Sequence, residues 1–159
     1  MDDLSAHLGL AAVAFLAATI LPGSSEALLT ALMIRSPDDA ATLFIAATAG
    51  NTAGAAVNWF LGRFLMRFAD RRWFPVSPSW IERASAWFRR FGVWLLFFSW
   101  VPVIGDPLTV VAGLLRVRIA LFLTIVALGK AARYAAVIGG VEATQSWFSA
   151  ACKTPLTFP

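Results

Sequence analysis

Four ionisable residues stand where an apolar chain has least reason to keep them: Glu26, Asp106, Lys130 and Arg133. Glu26 lies in "ILPGSSEALLTALM" and Asp106 in "WVPVIGDPLTVVAG". Both are hydrophobic runs with breakers inside, Pro22 and Gly23 in the first and Pro102, Gly105 and Pro107 in the second. Lys130 and Arg133 are three apart, hence on one helical face, in the apolar stretch from Ile119 to Val141. An ionisable side chain in hydrocarbon costs about 2.5 to 3.5 kcal/mol on insertion scales, so it faces a cavity or a partner. The two acids are therefore read as transport or proton-site candidates lying at the turns of the broken runs, near the membrane midplane. Lys130 and Arg133 are their expected partners. Desolvation raises a carboxylate's pKa and a nearby cation lowers it, so the same set suits either proton exchange or permanent ion pairing.

Plainer readings of these residues stay open. "PGSSE" also reads as a surface turn, with Ser24 or Ser25 capping a helix and Glu26 in its first turn. Asp106-Pro107 reads as an N-cap followed by proline at the first helical position. Lys130 and Arg133 also read as snorkelling cations.

The elements that must carry these residues follow from composition. Of 159 residues, 59% are hydrophobic and 14% charged, with a mean hydropathy of +0.74. That is too apolar for a soluble domain and right for an all-α integral membrane protein with one compact domain, residues 1–159. Thr42 to Gly62 and Ile119 to Val141 are long enough to cross a ~30 Å core. The broken runs Leu8–Ile34 and Val93–Leu115 are not, half by half, and read as re-entrant hairpins. Gly50, Gly54 and Gly62 form a small-residue face that reads as helix packing.

Seven of the eleven arginines lie between Arg63 and Arg90, including Arg71, Arg72 and Arg89. They alternate with aromatic residues, among them Trp80 and Trp87, in the pattern of an interfacial amphipathic helix capped by Ser79. Arginine excess in a short connection marks the cytoplasmic side, so the +4 net charge reports topology rather than nucleic-acid binding. By parity the N-terminus and the loop at Asp38 and Asp39 lie outside, unless Leu8–Leu21 crosses, which reverses the order. No signal peptide is recognised at the N-terminus, and the single cysteine says little about redox compartment.

The broken runs also match each other. Each has proline followed four residues later by an acid (Pro22 to Glu26, Pro102 to Asp106), then a short apolar run and an arginine, Arg35 or Arg116. Paired interrupted segments in two halves of opposite topology mark many secondary transporters. The reading is an inverted repeat: half 8–62, cytoplasmic amphipathic connector 63–91, half 92–141, and a tail 142–159.

Three stretches, "LPGSSE", "GNTAGAAVNWFLGRF" and "SWVPVIGDPLTVVAGLLRVRIALFLTIVALGKAARY", together resemble the DedA (VTT, or SNARE-associated Golgi) membrane proteins, in their YqaA branch. The similarity runs from about Ala17 to Val137. It implies two oppositely oriented re-entrant hairpins in the bacterial inner membrane, and a role in envelope maintenance. It also implies proton-motive-force dependence and the flipping of lipids such as undecaprenyl phosphate or phosphatidylethanolamine; eukaryotic relatives are scramblases. The family's first-hairpin acid falls on Glu26, its "AG" on Ala112-Gly113, and its glycine-rich pattern on Gly50, Gly54, Gly62 and Arg63. The chain departs from the pattern where the family places arginines around the second-hairpin proline, since Ser99 and Gly105 stand there. The family's Asp and Tyr in the glycine-rich span are Ala55 and Trp59. That puts phosphate-bearing cargo in question more than transport.

The expected function is thus a lipid flippase or scramblase, with or without proton coupling. The alternatives are a proton-driven exporter of small cations or drugs, and a non-transporting membrane scaffold acting through Trp87, Arg89 and Arg90. An enzyme is not expected, because one histidine at the edge supports neither a metal site nor a catalytic triad, and there is no P-loop. No cofactor or metal is called for. The expected partners are membrane lipids and protons, with no nucleic acid, and a homodimer would help so small a chain seal a pathway.

Overall fold

The computed structural model describes residues 3–18, 24–65, 78–101 and 105–153. The breakers Pro22, Gly23 and Pro102, the connector residues Arg71 and Arg72, and the side chain of Trp80 lie outside what is described.

Every described element is helical: α1 (Asp3–Ala17), α2 (Ser24–Arg35), a short 3-10 turn (Pro37–Asp39), α3 (Ala40–Leu65), α4 (Pro78–Phe91), a 3-10 segment (Gly92–Trp100), α5 (Gly105–Leu114) and α6 (Ile119–Lys153). Local chemistry explains several of the ends. Glu26 in the first turn of α2 and Arg35 in its last complement the helix dipole. Gly92, at φ 63°, takes the left-handed position that closes α4. Pro78 opens α4 at a first-turn position where its missing N–H costs nothing.

Two boundaries correct the sequence reading. Ser79 stands inside the first turn of α4 rather than at its cap, because Pro78 already has helical conformation. The last long helix does not end at Val141 but runs to Lys153, since no proline interrupts the chain before Pro155.

α5 ends in a Schellman turn, with Val117 N–H donating to Ala112 C=O and Arg116 N–H to Gly113 C=O, both at 3.0 Å. The left-handed position of that turn usually belongs to glycine, yet Arg116 occupies it at φ 56°. For a residue with a side chain that conformation costs about 1–2 kcal/mol.

Only α3, with the turn before it, and α6 are long and apolar enough among the described helices to cross a membrane. Just 28% and 33% of their apolar windows is buried, unlike core helices of a soluble protein. Large apolar side chains such as Ile45, Phe60, Phe64, Leu128 and Trp147 are exposed along them. Such a surface matches hydrocarbon rather than water.

α3 and α6 run antiparallel, as their contacts show. One apolar cluster joins Leu43 and Ala47 of α3 to Tyr134 of α6. The other joins Ala55 and Trp59 to Phe122, Ile125 and Val126. Asn51 and Lys130 lie between the two clusters, each 11 residues from its helix start. At 1.5 Å per residue that is about 16 Å in, near the middle of a 30 Å core.

The short helices then pack crosswise. α1 lies on α3 and the 3-10 segment on α6, whereas α5 crosses to α3 and α2 to α6. Glycines permit the closest approaches. A Cβ on Gly50 would strike the Ala11 carbonyl, and one on Gly54 would come 2.7 Å from Ala18 Cβ. A Cβ on Gly62 would meet Val110, and one on Gly113 would meet Trp59, so α3 and α5 touch backbone to backbone.

Candidate functional site

Crosswise packing brings the four charged candidates together in the middle of the fold. Glu26 is the third residue of α2 and Asp106 the second of α5, so both acids sit in the first turn after a break. Both meet α6. Arg133 Nε donates to Glu26 Oε1, and Lys130 Nζ stands 3.5 Å from Asp106 Oδ1.

Neutral polar groups complete the centre. Lys130 Nζ also donates to Asn51 Oδ1 of α3. Asn51 Nδ2 donates to Tyr134 OH at 2.7 Å. That hydroxyl shares a 2.9 Å hydrogen bond with Ser25 Oγ of α2. The amide orientation is the one that satisfies both ends, with oxygen toward the ammonium and nitrogen toward the phenol. The result is a continuous chain of polar contacts from Ser25 through Tyr134, Asn51 and Lys130 to Asp106, with the Glu26–Arg133 pair beside it.

Exposure is unequal within each pair. Lys130 is 2% exposed against 26% for Asp106, and Arg133 13% against 28% for Glu26. Lys130 is buried and Arg133 half-buried, and the acids are the more exposed members of both pairs. Snorkelling therefore does not describe Lys130, whose ammonium ends on Asp106 and Asn51.

Backbone groups at the breaks are also provided for. Asn58 Nδ2 donates to the Ala18 carbonyl just past the end of α1, at 2.8 Å. Gly105 N–H, at the start of α5, donates to Val101 C=O at 2.9 Å. A helix end leaves such groups without an intrahelical partner, and here the fold supplies one.

The other sequence candidates lie elsewhere. Gly105 lies against Ser99, whose carbonyl a Cβ there would strike. Pro107 is exposed in the first turn of α5. Trp87, Arg89 and Arg90 are exposed on α4, whose Phe88 is the residue that reaches the apolar core. Arg63 stacks over the Trp59 ring at 5.2 Å. Three members of the centre, Ser25, Asn51 and Tyr134, were not candidates from sequence.

The VTT domain family matches residues 10–142. Inner membrane protein YqaA of Escherichia coli (strain K12) is 35% identical over 150 residues, covering 93% of this chain and 99% of that protein. The protein of the same name in Shigella flexneri matches to the same extent. Undecaprenyl phosphate transporter A of Staphylococcus aureus (strain NCTC 8325 / PS 47) is 31% identical over 116 residues, which cover 66% of this chain and 57% of that protein. No solved structure matches.

Proposed function

The chain belongs to the VTT-domain family and is an inner-membrane protein of the YqaA branch, and on that premise we propose that it moves lipid between leaflets. The observation that carries this reading is the convergence of two carboxylates, each just after a break, on two cations one helical turn apart at mid-depth. The similarity to an undecaprenyl phosphate transporter favours a lipid as cargo.

The mechanism exchanges partners. In the resting state Glu26 and Asp106 neutralise Arg133 and Lys130. Protonation of an acid, the more accessible member of its pair, frees the cation behind it. The freed guanidinium or ammonium then accepts a headgroup phosphate through charge-assisted hydrogen bonds. Loss of the proton restores the internal pair and expels the headgroup. Lys130 and Arg133 thereby do the work of the arginines that are absent at Ser99 and Gly105. The scheme assigns no bond-making step to the protein.

The topology that serves this scheme is an inverted repeat, halves 8–62 and 92–141, whose broken runs enter from opposite leaflets. The cytoplasmic connector 63–91 joins the halves. Crosswise packing of α2 on α6 and α5 on α3 supports it, because each broken run then lies against both long helices.

A second reading, proton-driven export of small cations, draws on the greater exposure of the acids, which a cation would meet first. Reconstituted protein decides between them. Fluorescent lipids with several headgroups are followed by dithionite quenching, with and without an imposed proton gradient, for wild type and Asp106→Asn. Lipid movement above that of empty liposomes, slowed by the substitution, is the expected result. Movement no faster than in empty liposomes for every headgroup would sink the lipid reading.

A further inference from the structure

A second cationic site stands apart from the Lys130–Arg133 centre, at the end of α3 and the turn from α5 into α6. A cleft of about 520 Å³ opens there, lined by Trp59, Arg63, Arg116, Arg118 and the first residues of α6, Ile119 and Ala120. Among the described residues that line it, none is acidic. We propose that this cleft binds a phosphate group carried by an anionic lipid or by a soluble ion, as an anchoring site separate from the transport centre.

Four observations converge on it. First, three arginines line one concavity with no carboxylate among the described lining residues, whereas Lys130 and Arg133 each have one. Guanidinium forks match phosphate oxygens, and several together suit a doubly charged group. Second, Arg116 holds the left-handed turn position at φ 56°, where glycine would rest without strain. Strain of this kind persists where the surrounding structure holds it, and it clusters at ligand clamps.

Third, the cleft includes the start of a 35-residue helix with no acid in its first turn. The first backbone bond of that helix runs from Phe122 N–H to Arg118 C=O, at 2.9 Å, so the N–H groups of Ile119, Ala120 and Leu121 precede it. An arginine side chain has no acceptor with which to cap them, and such N–H groups favour an anion. Fourth, Trp59 is 4% exposed, and its buried indole N–H has no hydrogen-bond partner among the described residues. Its ring also braces Arg63 from below.

The site does not rest on transport by the central pairs, and it is tested by binding rather than by flux. Purified full-length protein in a nonionic detergent is titrated with dioleoyl phosphatidic acid, and with dioleoyl phosphatidylcholine for comparison, and bound lipid is counted by native mass spectrometry. Phosphatidic acid should bind at least about tenfold more tightly, and Arg116→Gly should remove most of that preference. The same variant should keep or raise the thermal stability, because it relieves the strained φ, so its lost binding cannot be ascribed to misfolding. Arg118→Gln should weaken binding in the same direction.

Excess inorganic phosphate separates the two sources. Displacement of the lipid shows that the phosphate group alone is recognised, and retention of the lipid shows that its acyl chains contribute as well. Both outcomes support the site. Equal affinity for the two lipids, or phosphatidic acid bound as tightly after Arg116→Gly and Arg118→Gln as before, would overturn it.

Discussion

Lys130 and Arg133 each face a carboxylate, whereas Arg63, Arg116 and Arg118 line a cleft to which no acid contributes among the described residues. The difference follows depth. About 16 Å into a membrane-crossing helix a cation has neither water nor headgroups to stabilise it, so the fold must supply the counter-charge. At the helix ends, water and lipid phosphates perform that task, and cations can be left open toward them. On the proposed scheme, the built-in counter-charge makes the centre a place where partners are exchanged. On the proposed second site, the open cation cluster is where an anion is held.

The largest contrast concerns the side of the membrane on which each end lies. In a Cys152→Ser background, Asp38→Cys should react with an impermeant maleimide in intact spheroplasts. Arg118→Cys should react only after permeabilisation, an all-or-none difference read from labelled protein on a gel. Labelling of both from outside would break the proposed topology, and the reverse pattern would invert it.

Next in size is removal of a buried cation. Lys130→Ala leaves Asp106 and the Asn51 carbonyl without their ammonium. Breaking a buried pair costs about 3–5 kcal/mol; because Asp106 keeps some solvent contact, about 3 kcal/mol is expected. Unfolding in mixed micelles measures it, and Lys130→Met with Asp106→Leu should recover most of the loss. Arg118→Ala should stay within about 0.5 kcal/mol of wild type, as surface substitutions do. Similar losses for Lys130→Ala and Arg118→Ala would erase the distinction between centre and cleft.

Gly113→Ala sharpens the contrast from the packing side, since α5 contributes Asp106 to the centre and leads into the cleft. Its Cβ would collide with the Trp59 carbonyl, so the helices must part, at about 2 kcal/mol. Gly139→Ala, with open space around it, should be neutral or slightly stabilising in the same unfolding assay. The smallest effect is expected of Tyr134→Phe, which removes the hydroxyl between Asn51 and Ser25. Roughly 1 kcal/mol of stability should be lost, with the Lys130–Asp106 pair still formed.

The four charged members of the centre were legible in the sequence because a charge inside an apolar run announces itself. Which acid meets which cation was not legible, since both cations lie on α6 and the pairing depends on where the first turns of α2 and α5 meet that helix. Asn51 sits inside "AGNTAG", where the glycines on either side point to packing, and its amide carries no charge to mark it. Tyr134, the chain's only tyrosine and adjacent to Arg133, was a signal that could have been followed. Arg116 was beyond reach for another reason: a left-handed turn position is ordinarily recognised by glycine, and nothing in "LLRVRI" announces one. The extension of α6 past Val141 was hidden because hydropathy falls there while helix propensity does not.

The central claim is that the carboxylates facing α6 are the groups whose charge must change for lipid to cross. It is tested most directly by the initial rate of labelled-lipid movement for Glu26→Gln beside wild type, at equal amounts of folded, reconstituted protein. A rate indistinguishable from that of empty liposomes, with wild type well above it, is the predicted result. Wild-type movement by Glu26→Gln would contradict the claim and leave the Glu26–Arg133 pair a structural clasp.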